Sequence, residues 1–253
     1  MTAEQVVVIV GASLTGASAA QTLREEDFGG RIVLVGAEPE RPYERPPLSK
    51  GFILGETKRD KLYVHDETWY TTNSVDLVLG RSVAQVDRAA HDIVLEDGEK
   101  LGYTTLLLAT GASPRHLDVP GGELDGVHHL RRIRDAQRLA TDLARGGRIV
   151  IVGGGWIGLE TAAAARAHKC QVTVVEPQSL PPHGALGRQM GAFFADLHRR
   201  HSVDIRLERT VAEFRGSGHV TTVLLDDGTE ISPDTVVGGV GAQPNTDLAV
   251  AAG

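Results

Sequence analysis

IVIVGGGWIG, residues 149–158, is an apolar run of strand length that leads directly into a glycine-rich turn. An alanine-rich segment, residues 159–167, has the composition of a helix, and a second apolar run follows at 172–175. The order strand, glycine turn, helix, strand predicts a parallel β-α-β unit with a right-handed crossover. The turn has the complete G-x-G-x-x-G pattern, with its glycines at Gly153, Gly155 and Gly158.

Each glycine of this pattern has a separate use in binding a dinucleotide. The first permits the tight turn, the second lets the backbone approach a pyrophosphate, and the third lets the helix pack on the strand. Glu176 follows Gly158 by 18 residues, close to the spacing of an acid that binds a ribose 2′-hydroxyl. Because its charge would repel a 2′-phosphate, we predict NAD rather than NADP. Helix–strand packing alone is the structural alternative for these glycines.

A second copy of the pattern lies 142 residues earlier in the chain, after the apolar run 6–10. It contains Gly11 and Gly16, but Ser13 replaces the middle glycine; the hydroxyl of this serine offers a donor to a phosphate oxygen. Glu38 follows Gly16 by 22 residues, again the spacing of an acid on a ribose. The repeat predicts an α/β fold with two Rossmann-like dinucleotide-binding domains.

The repeat also suggests domain boundaries. We expect a first dinucleotide-binding domain over residues 1–118, a second over 119–240, and the start of a return to the first over 241–253. Short β-type runs with Asp-Gly turns follow both copies, at Asp97-Gly98 and Asp227-Gly228.

Composition excludes several classes of function. The net charge of −7 and the 4% aromatic content argue against a nucleic-acid partner. A single cysteine, Cys170, excludes an intramolecular disulfide, a redox cysteine pair and a cysteine-based zinc site, and we expect no metal. No apolar run reaches 18 residues and no signal peptide is evident, so we expect no membrane association and a cytoplasmic location.

Two dinucleotide sites in one chain imply two cofactors. The simplest combination is a flavoprotein in which NADH reduces FAD. At this point the sequence resembles the FAD-dependent ferredoxin reductases that serve P450 and Rieske-type oxygenases, the putidaredoxin-reductase-like family. The resemblance extends from about Val6 to about Thr246, and its most specific parts are PYERPPLSK and GGGWIGLE. It implies FAD, NADH and a [2Fe–2S] ferredoxin as partner, and it leaves the oligomeric state open.

The resemblance also implies site residues. For FAD these are Gly11, Ser13, Thr15, Gly16, Glu38, Lys50, Val83, Thr110, Gly111 and Arg131. For NAD they are Gly153, Gly155, Ile157, Gly158, Glu160, Glu176 and Gly241. Trp156, inside the second turn, is either a packing residue or a gate over the nicotinamide pocket.

Lys50 and Glu160 are the catalytic candidates. Glu160 is expected in the first turn of the helix that opens the second domain, and Lys50 closes the proline-rich loop 39–49 of the first. We predict that they form an ion pair, because a lysine buried in a dry cleft needs a partner. Two independent surface charges are the alternative.

Electrons must leave the flavin without a cysteine relay, which fits a one-electron iron–sulfur acceptor. Residues 128–148 contain six arginines against two aspartates, a basic stretch suited to an acidic ferredoxin; a solvated helix face is the alternative. An NADH oxidase or a rubredoxin- or nitrite-reductase-like flavoprotein is the rival enzyme. The family chain continues by roughly another third, including a C-terminal interface domain, so substoichiometric FAD is expected, and a non-catalytic nucleotide-binding fragment is the third hypothesis.

Overall fold

The structure, a computed structural model, describes residues 5–253. It divides into two compact units that are discontinuous in sequence. Of the described residues, unit 1 comprises 5–44, 59–112 and 244–253, and unit 2 comprises 45–58 and 113–243. The loop 45–58 therefore belongs to unit 2, although it lies between strands of unit 1 in the sequence.

The elements follow one another in short segments. The helices are α1 (Leu14–Glu25), α2 (Glu67–Thr72), α3 (Ile133–Ala144), α4 (Trp156–Ala167), α5 (His183–Arg200) and α6 (Asp247–Ala252). The strands are β1 (Val6–Val10), β2 (Arg31–Gly36), β3 (Val75–Leu79), β4 (Val83–Asp87), β5 (Asp92–Leu95), β6 (Lys100–Gly102), β7 (Thr105–Leu108), β8 (Ala112–Pro114), β9 (Val127–His129), β10 (Arg148–Val152), β11 (Gln171–Glu176), β12 (Val203–Leu207), β13 (Val211–Ser217), β14 (His219–Leu225), β15 (Glu230–Ile231), β16 (Thr235–Gly238) and β17 (Ala242–Pro244).

Unit 1 is built on a parallel sheet of order β3-β2-β1-β7, with α1 connecting β1 to β2. One face of this sheet packs against α1 and α2 through Ile9, Ile32 and Tyr70. The other face packs against the antiparallel sheet β4-β5-β6 through Val8, Val33 and Ile93. Because both faces are covered, the central strands are continuous apolar runs rather than alternating ones.

Unit 2 repeats this plan with a parallel sheet of order β12-β11-β10-β16-β9. The antiparallel sheet β13-β14-β15 covers one face, where Phe214, Val220 and Val223 pack against Val150 and Val236. Helix α4 connects β10 to β11 as α1 connects β1 to β2. The predicted α/β class with two Rossmann-like halves is confirmed.

Helix α5 bends where the sequence demands it. Gly187 has φ 74° and ψ 175°, which are not helical values. A residue with a side chain rarely adopts this positive φ, so glycine permits the break. The regular part of the helix therefore starts at Arg188.

Candidate functional site

The glycine turn of unit 2 has two positions that admit no side chain. Gly153 has φ 105°, and a Cβ there would lie 2.5 Å from the carbonyl oxygen of Gly239. A Cβ at Gly158 would lie 2.0 Å from the carbonyl oxygen of Gly153. These two glycines are therefore explained by the fold itself, through the tight turn and the helix packed on the strand.

The middle glycine is different. A Cβ at Gly155 would have the carbonyl oxygen of Gly239 as its nearest atom, at 3.8 Å, which is ordinary contact. Gly155 is also the N-cap of α4, and its φ of −73° is open to any residue. The chain therefore leaves open space at a helix N-terminus, the cradle that a pyrophosphate fills. Packing within the protein therefore does not explain why residue 155 is a glycine, whereas close approach of a dinucleotide does.

Glu176 ends β11 beside the same turn and is only 7% exposed. One carboxylate oxygen accepts a hydrogen bond from Gly154 N–H at 2.6 Å, and the other accepts one from Gln178 N–H at 2.9 Å. Each oxygen has a second lone pair for a further donor. The carboxylate is thus fixed next to the cradle.

Unit 1 reproduces the turn, with one change. A Cβ at Gly11 (φ 128°) would lie 2.0 Å from Ala109 O, and a Cβ at Gly16 would lie 2.1 Å from Gly11 O. Ser13 is the N-cap of α1, and its side chain makes no capping hydrogen bond. Since the middle position of the turn in unit 2 sterically tolerates a side chain, serine fits here, and its hydroxyl is available to a phosphate oxygen.

The other residues expected near FAD are placed as follows. Thr15 is exposed on α1, and half-buried Glu38 accepts a hydrogen bond from the Tyr43 hydroxyl at 2.7 Å. Val83 starts β4 and packs against the core between the two sheets of unit 1.

Thr110 and Gly111 form a polar junction with Asn245, which the sequence analysis does not single out. The Thr110 hydroxyl donates to Asn245 O at 2.7 Å, and the Asn245 side-chain amide donates to Thr110 O at 2.9 Å. Gly111 O also accepts from Asn245 N–H at 3.0 Å. The only sequence signal for Asn245 is its place in the motif GAQPNT after the last long strand.

The predicted ion pair is present in unit 2: Lys50 Nζ lies 2.9 Å from Glu160 Oε1. A residue that sequence reasoning missed completes it, because the Ser49 hydroxyl donates to Glu160 Oε2. Lys50 also donates to Pro46 O at 3.3 Å, at the end of the 3₁₀ turn Pro46–Ser49. The contact is confirmed; a role in catalysis stays a prediction.

Lys50 and Glu160 differ from expectation in two ways, and both expectations are wrong. The Lys50 side chain is 53% exposed, so this lysine is not buried and its pair is partly solvated. Glu160 is in the second turn of α4 rather than the first, because the helix begins at Trp156 and has no acid in its first turn. The helix dipole acts mainly within the first turn, so Glu160 is held by its side-chain partners.

Further hydrogen bonds connect the loop 45–58 to the rest of unit 2. The Arg45 guanidinium donates to Arg131 O at 2.7 Å, and the His168 ring contacts Ile53 O at 2.9 Å. The half-buried Arg131 precedes α3, whose Asp135 accepts from the N–H groups of Arg131 and Arg132. Gly241, with φ 103°, accepts from Arg115 N–H at 2.9 Å.

An apolar surface lies beside the glycine turn. Trp156 is 50% exposed and meets the ring of Phe194 edge-on at 6.0 Å, and Phe193 and Met190 on α5 are also exposed. Ile157 is 38% exposed on the first turn of α4. Exposure to this degree argues against core packing as the purpose of Trp156.

Helix α3 and its C-cap Arg145 carry three of the six arginines of the basic stretch. Arg134, Arg138 and Arg145 recur on one exposed face of the helix, although Arg145 pairs with Asp142 at 2.7 Å and Arg134 approaches Asp135 at 3.7 Å. Within residues 5–253, no group of three or more His, Cys, Asp or Glu side chains is arranged to hold a metal ion.

Two histidines, His116 and His129, line a cavity of about 460 Å³ in unit 2. The rings of His116 and His129 lie 4.3 Å apart, and among the described residues His129 Nδ1, which is buried, has no hydrogen-bond partner. Burial, and then the charge of His116, lower the pKa of His129; the carboxylates of Glu123 and Asp135 oppose this effect, and His128 adds to it.

The lowered pKa of His129 predicts that acid destabilises the folded chain. Below the ordinary histidine pKa of 6.5, His129 is protonated in the unfolded chain but stays neutral in the folded chain until the pH is lower. The free energy of unfolding therefore falls as the pH drops below 6.5. The slope from one such group is at most about 1.4 kcal/mol per pH unit. We expect His129→Gln to flatten urea-unfolding free energies between pH 7 and 5, and the exposed His91→Gln to leave them unchanged. Equal slopes in all three proteins would contradict this.

The fold and the two glycine turns define a class of dinucleotide-binding proteins, and comparison with known proteins agrees with this class. The chain belongs to the pyridine nucleotide-disulphide oxidoreductase family, whose sequence profile matches residues 5–253. It is 39% identical over 248 residues to rhodocoxin reductase of Rhodococcus erythropolis, covering 98% of this chain and 58% of that protein. It is 37% identical to putidaredoxin reductase of Pseudomonas putida, covering 100% of this chain and 61% of the relative.

Solved structures give the same result. The reductase in a covalent putidaredoxin reductase–putidaredoxin complex matches with a TM-score of 0.97 and 36% identity, over 100% of this chain and 62% of that one. A ferredoxin reductase from Rhodopseudomonas palustris matches with a TM-score of 0.95 and 33% identity, over 98% and 62%. The chain thus spans about 60% of the length of the relatives it matches. None of the helices within residues 5–253 has the length and apolar character that crossing a membrane requires.

Proposed function

We propose that this chain provides the dinucleotide-binding part of an NADH-dependent ferredoxin reductase. It would pass electrons through FAD to a [2Fe–2S] ferredoxin that serves a P450 or Rieske-type oxygenase, in the cytoplasm. The observation that carries the proposal is the open cradle at Gly155 with Glu176 fixed beside it. Its relatives over this length are named as reductases of rhodocoxin, putidaredoxin and dioxygenase ferredoxins.

The residues proposed for the pyrophosphate and ribose of each cofactor divide by unit, whereas Lys50 and Arg131, proposed for FAD, lie in unit 2. In unit 1, the backbone of the turn at Gly11 and the Ser13 hydroxyl would bind the FAD pyrophosphate, and Glu38 the adenosine ribose. In unit 2, the turn at Gly155 would bind the NADH pyrophosphate and Glu176 its ribose. We retain residues 1–118 and 119–240 as the proposed functional domains, with 241–253 as the start of the return to the first.

The chemistry that FAD supplies when bound is conversion of two-electron hydride acceptance into one-electron transfer. The protein needs no nucleophile for this; its residues bind, orient and exclude water. Lys50 would place positive charge near the flavin, where negative charge develops on reduction. Glu160 holds that ammonium through the ion pair and has a carboxylate available to the nicotinamide amide.

The test is electron transfer by the purified chain. After loading with FAD and removal of free flavin, we expect a band near ~450 nm that NADH bleaches, and reduction of putidaredoxin as the probe acceptor. A chain that retains no flavin, or whose flavin NADH does not reduce, would overturn the proposal and leave a nucleotide-binding protein.

Rubredoxin is a second candidate acceptor, because rubredoxin-NAD(+) reductase of Pseudomonas putida is 36% identical over 251 residues. Reoxidation of the reduced protein by putidaredoxin, rubredoxin and O2 in parallel separates the three possibilities. Faster reoxidation by rubredoxin or O2 than by putidaredoxin would replace the ferredoxin assignment.

The arginine face of α3 is the proposed contact for an acidic ferredoxin. We expect the triple variant Arg134→Glu, Arg138→Glu, Arg145→Glu to raise the KM for putidaredoxin about tenfold and to weaken its salt dependence, because rim charges steer association. Ferricyanide reduction should not change. Arg206→Glu, an exposed arginine paired with Asp204, is the matched control. An unchanged KM would make α3 a solvated helix face.

A further inference from the structure

One carboxylate receives donors from two consecutive residues. Ser49 donates to Glu160 Oε2, and Lys50 lies against Oε1 of the same side chain. Both donors come from the end of the 3₁₀ turn Pro46–Ser49, which the prolines at its start stiffen. The two oxygens are therefore fixed from one rigid segment, which sets the plane of the carboxylate as well as its position.

The two donors differ in burial. Lys50 is 53% exposed, so water competes for its ammonium, whereas Ser49 is 6% exposed. A serine hydroxyl has one hydrogen to donate. Its alternative acceptor, Pro46 O, is 3.5 Å away, whereas Glu160 Oε2 is at 2.5 Å, so the hydrogen goes to Glu160.

A solvated ion pair alone is weak and does not hold two flexible side chains in one geometry. A buried hydrogen bond to a charged acceptor is stronger. We infer that Ser49 is a positioning residue: its hydroxyl holds Glu160 in the orientation in which the carboxylate binds Lys50. The inference rests on the proposed function only for its consequence in hydride transfer.

The cofactor-free chain tests the positioning directly. Lys50 is acetylated with a limiting amount of N-acetoxysuccinimide, and the rate is read by mass spectrometry relative to the exposed Lys58 of the same loop. Ser49→Ala should raise the Lys50 rate about two- to fivefold, the factor that corresponds to losing an exposed ion pair. Ser49→Thr should restore the slow rate, and Glu160→Gln marks complete loss of the pair. If Lys50 is acetylated at the same rate in Ser49→Ala as in the wild-type chain, the inference is overturned.

The FAD-loaded chain tests the consequence. Ser49→Ala should lower kcat for NADH-driven ferricyanide reduction severalfold and leave the KM for NADH within about twofold, since the residue acts on orientation rather than on binding. An unchanged kcat, or a KM effect alone, would contradict the role. If the wild-type chain shows no NADH-driven reduction, the proposed function fails, whereas the acetylation experiment still decides whether Ser49 positions Glu160.

Discussion

Glu176→Gln is expected to raise the use of NADPH relative to NADH by about 10- to 100-fold. The substitution removes a charge that repels a 2′-phosphate and leaves one acceptor oxygen in place of two, and a lost hydrogen bond to a charged group corresponds to about 1.5–3 kcal/mol. The carboxylate is fixed beside the cradle by Gly154 N–H and Gln178 N–H, so its charge has a defined position. It therefore acts on the ribose rather than on the general field of the protein.

The measurement is kcat/KM for both nucleotides with ferricyanide as acceptor. Glu208→Gln is the matched control, because Glu208 is an exposed acid just beyond the end of the neighbouring strand β12. Glu176→Gln should also lower the urea midpoint slightly, since one backbone N–H loses its acceptor. The hypothesis fails if the wild-type chain uses NADPH as well as NADH at equal concentration.

The two dinucleotide-binding halves are predictable from the sequence because their signals are local. A buried parallel strand is a continuous apolar run, and the turn that follows must contain glycine wherever a carbonyl oxygen lies within 2.0–2.5 Å of the position that a Cβ would take. Gly11 and Gly16 satisfy this in unit 1, as Gly153 and Gly158 do in unit 2. Sequence and structure therefore agree at these positions for a steric reason.

The parts that escaped prediction lack a periodic pattern of apolar residues. Strand β13 carries the register shifts of a bulged strand, which blur its alternation of apolar and polar residues. Helix α2 has only six residues and is stabilised by Asp66, which caps Trp69 N–H, together with packing of Tyr70. Neither leaves a periodic pattern in the sequence.

The candidate site shows the same division. Glu176 follows from its spacing, and the Lys50–Glu160 pair follows from the resemblance. Ser49 does not, because a serine in a proline-rich loop has no local signal for a partner 111 residues away. The placement of the loop 45–58 in unit 2 is likewise a result of contacts, not of chain order.

The middle position of the two turns distinguishes fold from function. The fold excludes a side chain at the first and third glycines but admits one at the second, where unit 1 has Ser13 and unit 2 has Gly155. The fold would therefore accept a side chain at position 155, yet the chain has glycine there. Its best explanation is close approach of a ligand to the backbone.

Lys50→Ala is expected to slow flavin reduction by NADH about 10- to 100-fold while changing the Kd for NADH less than threefold. Positive charge fixed where negative charge develops stabilises the transition state more than the bound ground state, and removing one such electrostatic partner costs about 10²-fold or more in favourable cases. Because Lys50 is half-exposed, partial screening by water places the expected loss at or below that figure.

The exposure of Lys50 also separates catalysis from folding. A solvated ion pair contributes about 0–1 kcal/mol, so the urea midpoint of Lys50→Ala should stay close to that of the wild-type chain. Lys58→Ala, an exposed lysine of the same loop, is the control and should change neither rate nor midpoint. Lys50→Arg should recover part of the rate, since it keeps the charge but not the geometry of the ammonium. Weaker NADH binding with an unchanged reduction rate would place Lys50 outside the hydride-transfer step, because a group that acts in the transition state lowers the rate constant rather than the affinity.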